Sequence, residues 1–232
     1  MRGLAGEAFV AIWHDVAAEG RAEYYEWHNR EHMPERLGIR GFLRGRRYLV
    51  EQGSPDYFNL YEVEAAEVLT GQEYLDRLNN PTPWTRRAVA YVHNVSRSLC
   101  RVEVSLGRAQ GGLMATWRLE ATVGQEGRLS DYLVREALPA IFERPGVLGA
   151  HCGTADRSGS NLMTEERKAR GSTTLVPGWV VLVEGISVAA LTAAAEPELT
   201  PHALRLHGAA GEGMFGVYRL ETSRTKTAST VG

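Results

Sequence analysis

The run Arg30-Glu31-His32-Met33-Pro34, leading on to Gly41-Phe42-Leu43, is written a second time as Arg135-Glu136-Ala137-Leu138-Pro139, leading on to Gly146-Val147-Leu148, with no gap between the copies. Other matches keep the same order. Ala11-Ile12-Trp13 pairs with Ala115-Thr116-Trp117 (one residue out of phase), Leu60-Tyr61-Glu62 with Leu182-Val183-Glu184, and Arg101-Val102-Glu103 with Arg219-Leu220-Glu221. A fixed-order repeat of this size means two copies of one fold in one polypeptide. The copies then act as each other's control: a polar residue in one that is apolar in the other is not required by the fold.

The first copy opens with Ala8 to Trp13, apolar on both faces and therefore a buried strand. Arg21 to Met33 reads as a helix that Pro34 should end or bend, because the proline ring collides with the carbonyl of Arg30. Phe42 to Glu51 and Tyr57 to Glu64 read as strands joined by the turn Gly53-Ser54-Pro55-Asp56. Val68 to Leu78 is a second helix, stopped before Pro81 and Pro83, and Val95 to Val104 closes the unit. The order is β-α-β-β-α-β, the split βαβ pattern of ferredoxin-like domains. The second copy repeats it with Leu113 to Leu119, Leu129 to Phe142, Val147 to Gly153, Trp179 to Ile186, Val188 to Ala195 and Phe215 to Glu221.

The fold class expected is therefore α+β, with two tandem ferredoxin-like repeats at 1–108 and 109–221 whose antiparallel sheets pack face to face. A flexible tail is expected at 222–232, which is polar and lacks apolar periodicity. The second copy also carries a long loop at about 154–177 containing the charge run Thr164 to Arg170. Loops of this length are either covers or mobile segments, and mobility is the expectation here.

Several function classes are disfavoured. A formal net charge of −2 argues against a nucleic-acid surface or an anionic membrane as the main partner. Two cysteines at unrelated positions, Cys100 and Cys152, and no apolar signal segment in Met1 to Gly6, point to a reduced, cytoplasmic protein. No stretch reaches the roughly 18 uninterrupted apolar residues of a membrane span.

On a helical wheel, Tyr24, His28 and Glu31 fall within about 60° of one another, with His32 on the flank and Trp27 on the other side. Glu35 joins that face if the helix continues past Pro34. Two imidazoles, a carboxylate and two aromatic rings make poor core material unless something satisfies them. The second copy places Leu129, Leu133 and Ala137 where the first has Tyr24, His28 and His32, and Tyr132 where it has Trp27. Those histidines are extras, read as ligand-binding or catalytic, or as satisfied helix residues. Glu31, retained as Glu136, reads as structural. On the next strand Arg44, Arg46 and Tyr48 share one face; they read as a clamp for a carboxylate or phenolate, or as charges guarding an edge strand.

Tyr24-Tyr25-Glu26-Trp27 through His32-Met33-Pro34 resembles the EthD-like branch of the dimeric α/β-barrel superfamily, whose members carry an aromatic-rich first helix ending in Trp and then His-x-Pro. The spacing from Trp27 to His32 is one residue longer than in that motif. The resemblance implies ferredoxin-like units paired into a barrel, here within one chain. It also implies relatives among small monooxygenases, isomerases, cyclases and haem-dependent enzymes. The function expected is conversion of a small hydrophobic or aromatic metabolite by acid/base chemistry, with His32 as the proton-transfer residue, His28 beside it, and Tyr24, Trp27, Arg46 and Tyr48 contacting substrate. A histidine suits that role through its ordinary pKa of about 6.5. The alternative is a ligand-binding or structural barrel without turnover. No cofactor is expected, the partner is a small molecule, and homo-oligomer formation is left open. His28-Asn29-Arg30-Glu31-His32 also fits the zinc motif H-x-x-E-H, but no third ligand is evident and no metal is expected.

Overall fold

A computed structural model describes residues 3–226. β1 (Ala8–Val16) leads through a 3-10 turn into a long helix made of three parts: α1 (Arg21–Trp27), a π turn (His28–His32) and α2 (Met33–Gly38). β2 (Phe42–Gly53) and β3 (Tyr57–Val63) follow, then a 3-10 turn (Ala66–Leu69), α3 (Gln72–Asn79), α4 (Pro83–Val89) and β4 (Val92–Gly107). The second half begins with β5 (Leu113–Leu119), α5 (Glu126–Tyr132), a π turn (Leu133–Ala137), α6 (Leu138–Phe142) and β6 (Val147–Ala155). It continues with α7 (Arg157–Ser160), α8 (Glu165–Arg170), β7 (Thr174–Leu175), β8 (Trp179–Gly185), α9 (Val188–Ala195), α10 (Pro201–Leu206) and β9 (Met214–Thr225).

Pro34 does not end the first helix. The Met33 N–H bonds the His28 carbonyl five residues back, and this widened turn sets Pro34 into the first turn of α2, where its missing N–H and its ring are tolerated. The second half repeats the device, with the Leu138 N–H on the Leu133 carbonyl just before Pro139. Two helices absent from the sequence reading, α4 and α10, also start at prolines. Thr82 and Thr200 cap them by accepting from the N–H groups of Thr85 and Ala203.

Among the described residues the strands form one sheet in the order β1-β3-β2-β9-β5-β8-β6-β4, and β4 pairs back onto β1 to close it. β7 adds outside this ring, parallel to β4. All pairings within the ring are antiparallel. The expected two sheets stacked face to face are thus joined edge to edge. Hydrogen bonds of β2 to β9 and of β4 to β6 remove the edges that two separate sheets would expose. The pairing of β2 with β9 includes 222–225, which belong to β9 and not to a tail; the expected tail beyond Lys226 lies outside the described residues.

The pleat sends alternate side chains to opposite sides. Phe9, Trp13, Tyr48, Phe58, Leu60, Val180, Leu182 and Tyr218 fill the interior, while helices cover the outer face over separate first-half and second-half cores. The 154–177 segment is folded, not loose: α8 packs on α3 and α4 of the first half, and Glu166 pairs with Arg36 on α2.

Arg46 and Tyr48 point into this interior. Arg46 is fully buried between Glu62 and Glu184, 2.9 Å from a carboxylate oxygen of each, and Arg44 also holds Glu62 at 2.7 Å. They neither guard an edge nor face the helix. Burial alone would push the Glu184 carboxyl up; the His151 ring 3.7 Å away and the Arg46 charge outweigh it and hold the group at about 2. Removing one member of a buried ion cluster strands the others. Arg46→Ala is therefore expected to cost roughly 3–5 kcal/mol, read as a lower urea midpoint with an unchanged slope.

Candidate functional site

The site lies between the first helix and the outer face of β1, β3 and β2. The π turn decides which helix residues reach it. Tyr24, His28 and His32 come to the sheet side, all buried. Glu31, grouped with them on an ideal wheel, turns instead to α4, where it accepts from the hydroxyls of Thr82 at 2.6 Å and Thr85 at 3.0 Å. Thr85 Oγ1 also accepts from Trp27 Nε1 at 3.0 Å, which locks the indole against the His32 ring with centroids 4.3 Å apart. Glu35, beyond Pro34, pairs with Arg36.

The sheet contributes His14, Asn59, Tyr61 and Arg47, all on the outer side of the pleat. Tyr24 Oη lies 3.1 Å from His14 Nε2, and Asn59 Nδ2 reaches both, at 3.0 Å and 3.1 Å. His28 is held at both nitrogens, by Arg47 Nη1 on Nδ1 at 3.0 Å and by Tyr61 Oη on Nε2 at 3.0 Å. A small, partly open cavity of about 50 Å³ sits here, with Ile12, Val89 and Val92 as apolar wall and Glu166 and Arg170 of α8 along its rim. Three buried polar atoms on residues lining it have no protein partner among the described residues: His32 Nδ1, Asn59 Oδ1 and Arg170 Nε. A buried polar atom left unpaired costs free energy unless water or a ligand satisfies it.

The electrostatics differ from the sequence expectation. Burial pushes the His14 imidazole down to about 4. It drives His28 and His32 well below their ordinary value, with Arg47 adding to the effect on His28 and Arg36 on His32. Burial likewise raises the Tyr24 and Tyr61 phenols. At neutral pH the imidazoles and the Tyr24 phenol of the cavity wall are uncharged, and neither His28 nor His32 titrates near 6.5.

The H-x-x-E-H run does not assemble a metal centre in this arrangement. Both nitrogens of His28 are engaged, Glu31 is committed to α4, and among the described residues no group of three or more His, Cys, Asp or Glu side chains could hold an ion.

One strand register serves both halves. Ile12 pairs with Asn59 and Asn59 with Arg47; Trp117 pairs with Val181 and Val181 with Cys152. On this register His14, Arg47, Asn59 and Tyr61 correspond to Leu119, Cys152, Val181 and Val183, all packed and buried in the second half. Trp117 therefore stands where Ile12 does. The out-of-phase match of Trp13 with Trp117 was accidental: Trp13 fills the interior and Trp117 the outer core. That slip concealed His14, the residue that an in-register comparison against Leu119 would have exposed.

No family model matches the chain, and no curated protein matches it in sequence. Solved structures do match in shape. An anthrone oxidase-like protein superposes with a TM-score of 0.59 at 13% identity, covering 100% of this chain and 99% of that one. A provisionally assigned monooxygenase from Lactobacillus acidophilus gives 0.58 at 13% identity, covering 94% and 96%. A heme-binding protein from Thermus thermophilus gives 0.51 at 12% identity, covering 96% and 92%. The shared fold is an α+β one built on a closed eight-stranded antiparallel barrel. At these identities the likeness to other α/β-barrel proteins is one of fold alone, and the chemistry of this barrel must be argued from its own cavity.

The depressed imidazoles make stability depend on pH. His14 binds its proton less tightly folded than unfolded, so its contribution is complete above the unfolded value near 6.5 and is lost as pH falls toward 4. At about pH 5 His14 alone should cost roughly 2 kcal/mol, and His28 and His32 act in the same direction. Denaturation midpoints measured from pH 7.5 down to 5 should fall below about 6.5; a flat profile would show the imidazoles to be hydrated.

Proposed function

We propose that the first-half cavity takes a small hydrophobic or aromatic molecule bearing an acidic O–H or C–H, and that His32 accepts its proton. The observation that carries this reading is His32 itself: it lines a small cavity with a buried Nδ1 that has no protein partner among the described residues, while His14 and His28 are already committed. A neutral imidazole with a lowered pKa is a weak base that stays available across the neutral range. By Brønsted logic it suits a substrate that is itself fairly acidic, such as a phenol or an enolisable lactone. The resulting imidazolium would lie against the substrate anion, which offsets the cost of charging a buried ring. Trp27 and Tyr24 are the aromatic contacts. Arg46 and Tyr48 have no part in it.

The names of the structural neighbours, an anthrone oxidase-like protein and a monooxygenase, fit an oxidative version in which dioxygen is the co-substrate. The proposal extends to origin and layout. The chain is an EthD-like tandem duplication, with 1–108 carrying the site and 109–221 structural, and it works without a cofactor of its own. At about 50 Å³ the cavity is smaller than the roughly 150 Å³ void that accepts benzene in a protein core. An aromatic substrate would require α8, tied down by Arg36 and Glu166, to swing aside. A second reading, ligand binding without turnover, is favoured by that same tightness.

His32→Ala separates the readings. It should melt with the wild type, because Ala137 fills the matching place in the second half. Screened against phenolic and lactone compounds, it should lose turnover by about 10²–10⁴-fold while retaining most binding if His32 is the base. Loss of binding alone would indicate a binding protein. A melt far below wild type would show the histidine to be structural.

A further inference from the structure

Arg47 and Glu221 belong to neither the helix motif nor the cavity wall, yet they meet at its second histidine. We infer that Arg47, held by Glu221, is a positioning residue that fixes the proton of His28 on Nε2, making His28 a fixed donor to Tyr61 and leaving His32 as the base. The inference rests on the reading of the cavity as a proton-transfer site.

A guanidinium only donates. With Arg47 Nη1 3.0 Å from His28 Nδ1, that nitrogen is the acceptor and the ring hydrogen sits on Nε2, 3.0 Å from Tyr61 Oη. Arg47 is itself pinned. Its Nε donates to Glu221 at 2.6 Å, its guanidinium lies 4.6 Å over the Tyr25 ring, and the side chain is buried. Glu221 comes from β9, across the seam where β2 meets the second half. The groups facing His28 from the surrounding elements are Arg47 on β2, Tyr61 on β3, His14 on β1, Tyr24 and His32 on its own helix, and Arg36 on α2. None is a carboxylate that would favour a second proton, and a proton on Nδ1 would meet the arginine. The matching places in the second half, Cys152 and Leu133, carry no such arrangement, so the barrel does not need it.

The test is long-range ¹H–¹⁵N NMR of the histidine rings in the full chain, without ligand, from about pH 5 to 8. Wild-type His28 should be a single Nε2–H tautomer that does not titrate in this range. In Arg47→Leu both tautomers should appear and the His28 pKa should rise by about one unit or more. Glu221→Gln, which keeps the arginine charge but loosens it, should bring in measurable exchange with the Nδ1–H form. An Nδ1–H tautomer in the wild type would overturn the inference, and so would a folded Arg47→Leu with an unchanged His28 spectrum. Should Arg47→Leu fail to fold, the wild-type and Glu221→Gln spectra decide, an unchanged Glu221→Gln spectrum counting against the pair. The measurement needs no substrate. A fixed tautomer in a protein that binds nothing would sink the cavity reading, and with it the role of His32, and would leave the positioning of the His28 proton by Arg47 standing.

Discussion

Closure of the sheet is the constraint on which the rest of this structure depends. A ring of strands has no edge, and its pleat leaves each strand residue two destinations: the barrel interior or the space beneath the helices. Neighbours in sequence then serve unrelated purposes. Arg46 reaches inward to join Glu62 of the first half to Glu184 of the second, and Arg47 reaches outward to His28. The same alternation puts Trp13 inside and His14 outside.

Burial then sets the character of the site. Of the three imidazoles under the helix, two are satisfied by hydrogen bonds, and His32 keeps an unpartnered Nδ1. His14 shares Tyr24 and Asn59, and His28 is spanned by Arg47 and Tyr61. Desolvation in the same place removes their protons, so the cavity is polar but uncharged along its imidazole wall. Such a wall discriminates through hydrogen-bond geometry rather than through charge.

The two halves are not independent modules. Glu221 on β9 anchors Arg47, and α8, also from the second half, covers the cavity with Arg170 and pairs Glu166 with Arg36. The second half contributes no polar site in the matching place, where Leu119, Leu129, Leu133 and Val181 pack as core. Its contribution is the cover and the anchor for the first half's site.

Much of this was legible in the sequence, for physical reasons that are local. Apolar runs, turn residues and the repeated Glu-x-x-Pro stretches determined most strands, the first helix, and the contrast of Tyr24, His28 and His32 with Leu129, Leu133 and Ala137. The sequence alone could not determine the phase of that helix, because a π turn closes on a backbone bond, Met33 to His28, that has no residue signature. It could not say which pleat face of β2 meets the helix, since Arg46 and Arg47 are the same residue one step apart. His14, Asn59, Tyr61, Glu221 and the α8 cover were beyond its reach as well. They are distant in the chain and become neighbours only because the ring closes, and contact between remote segments is decided by that closure rather than by local pattern.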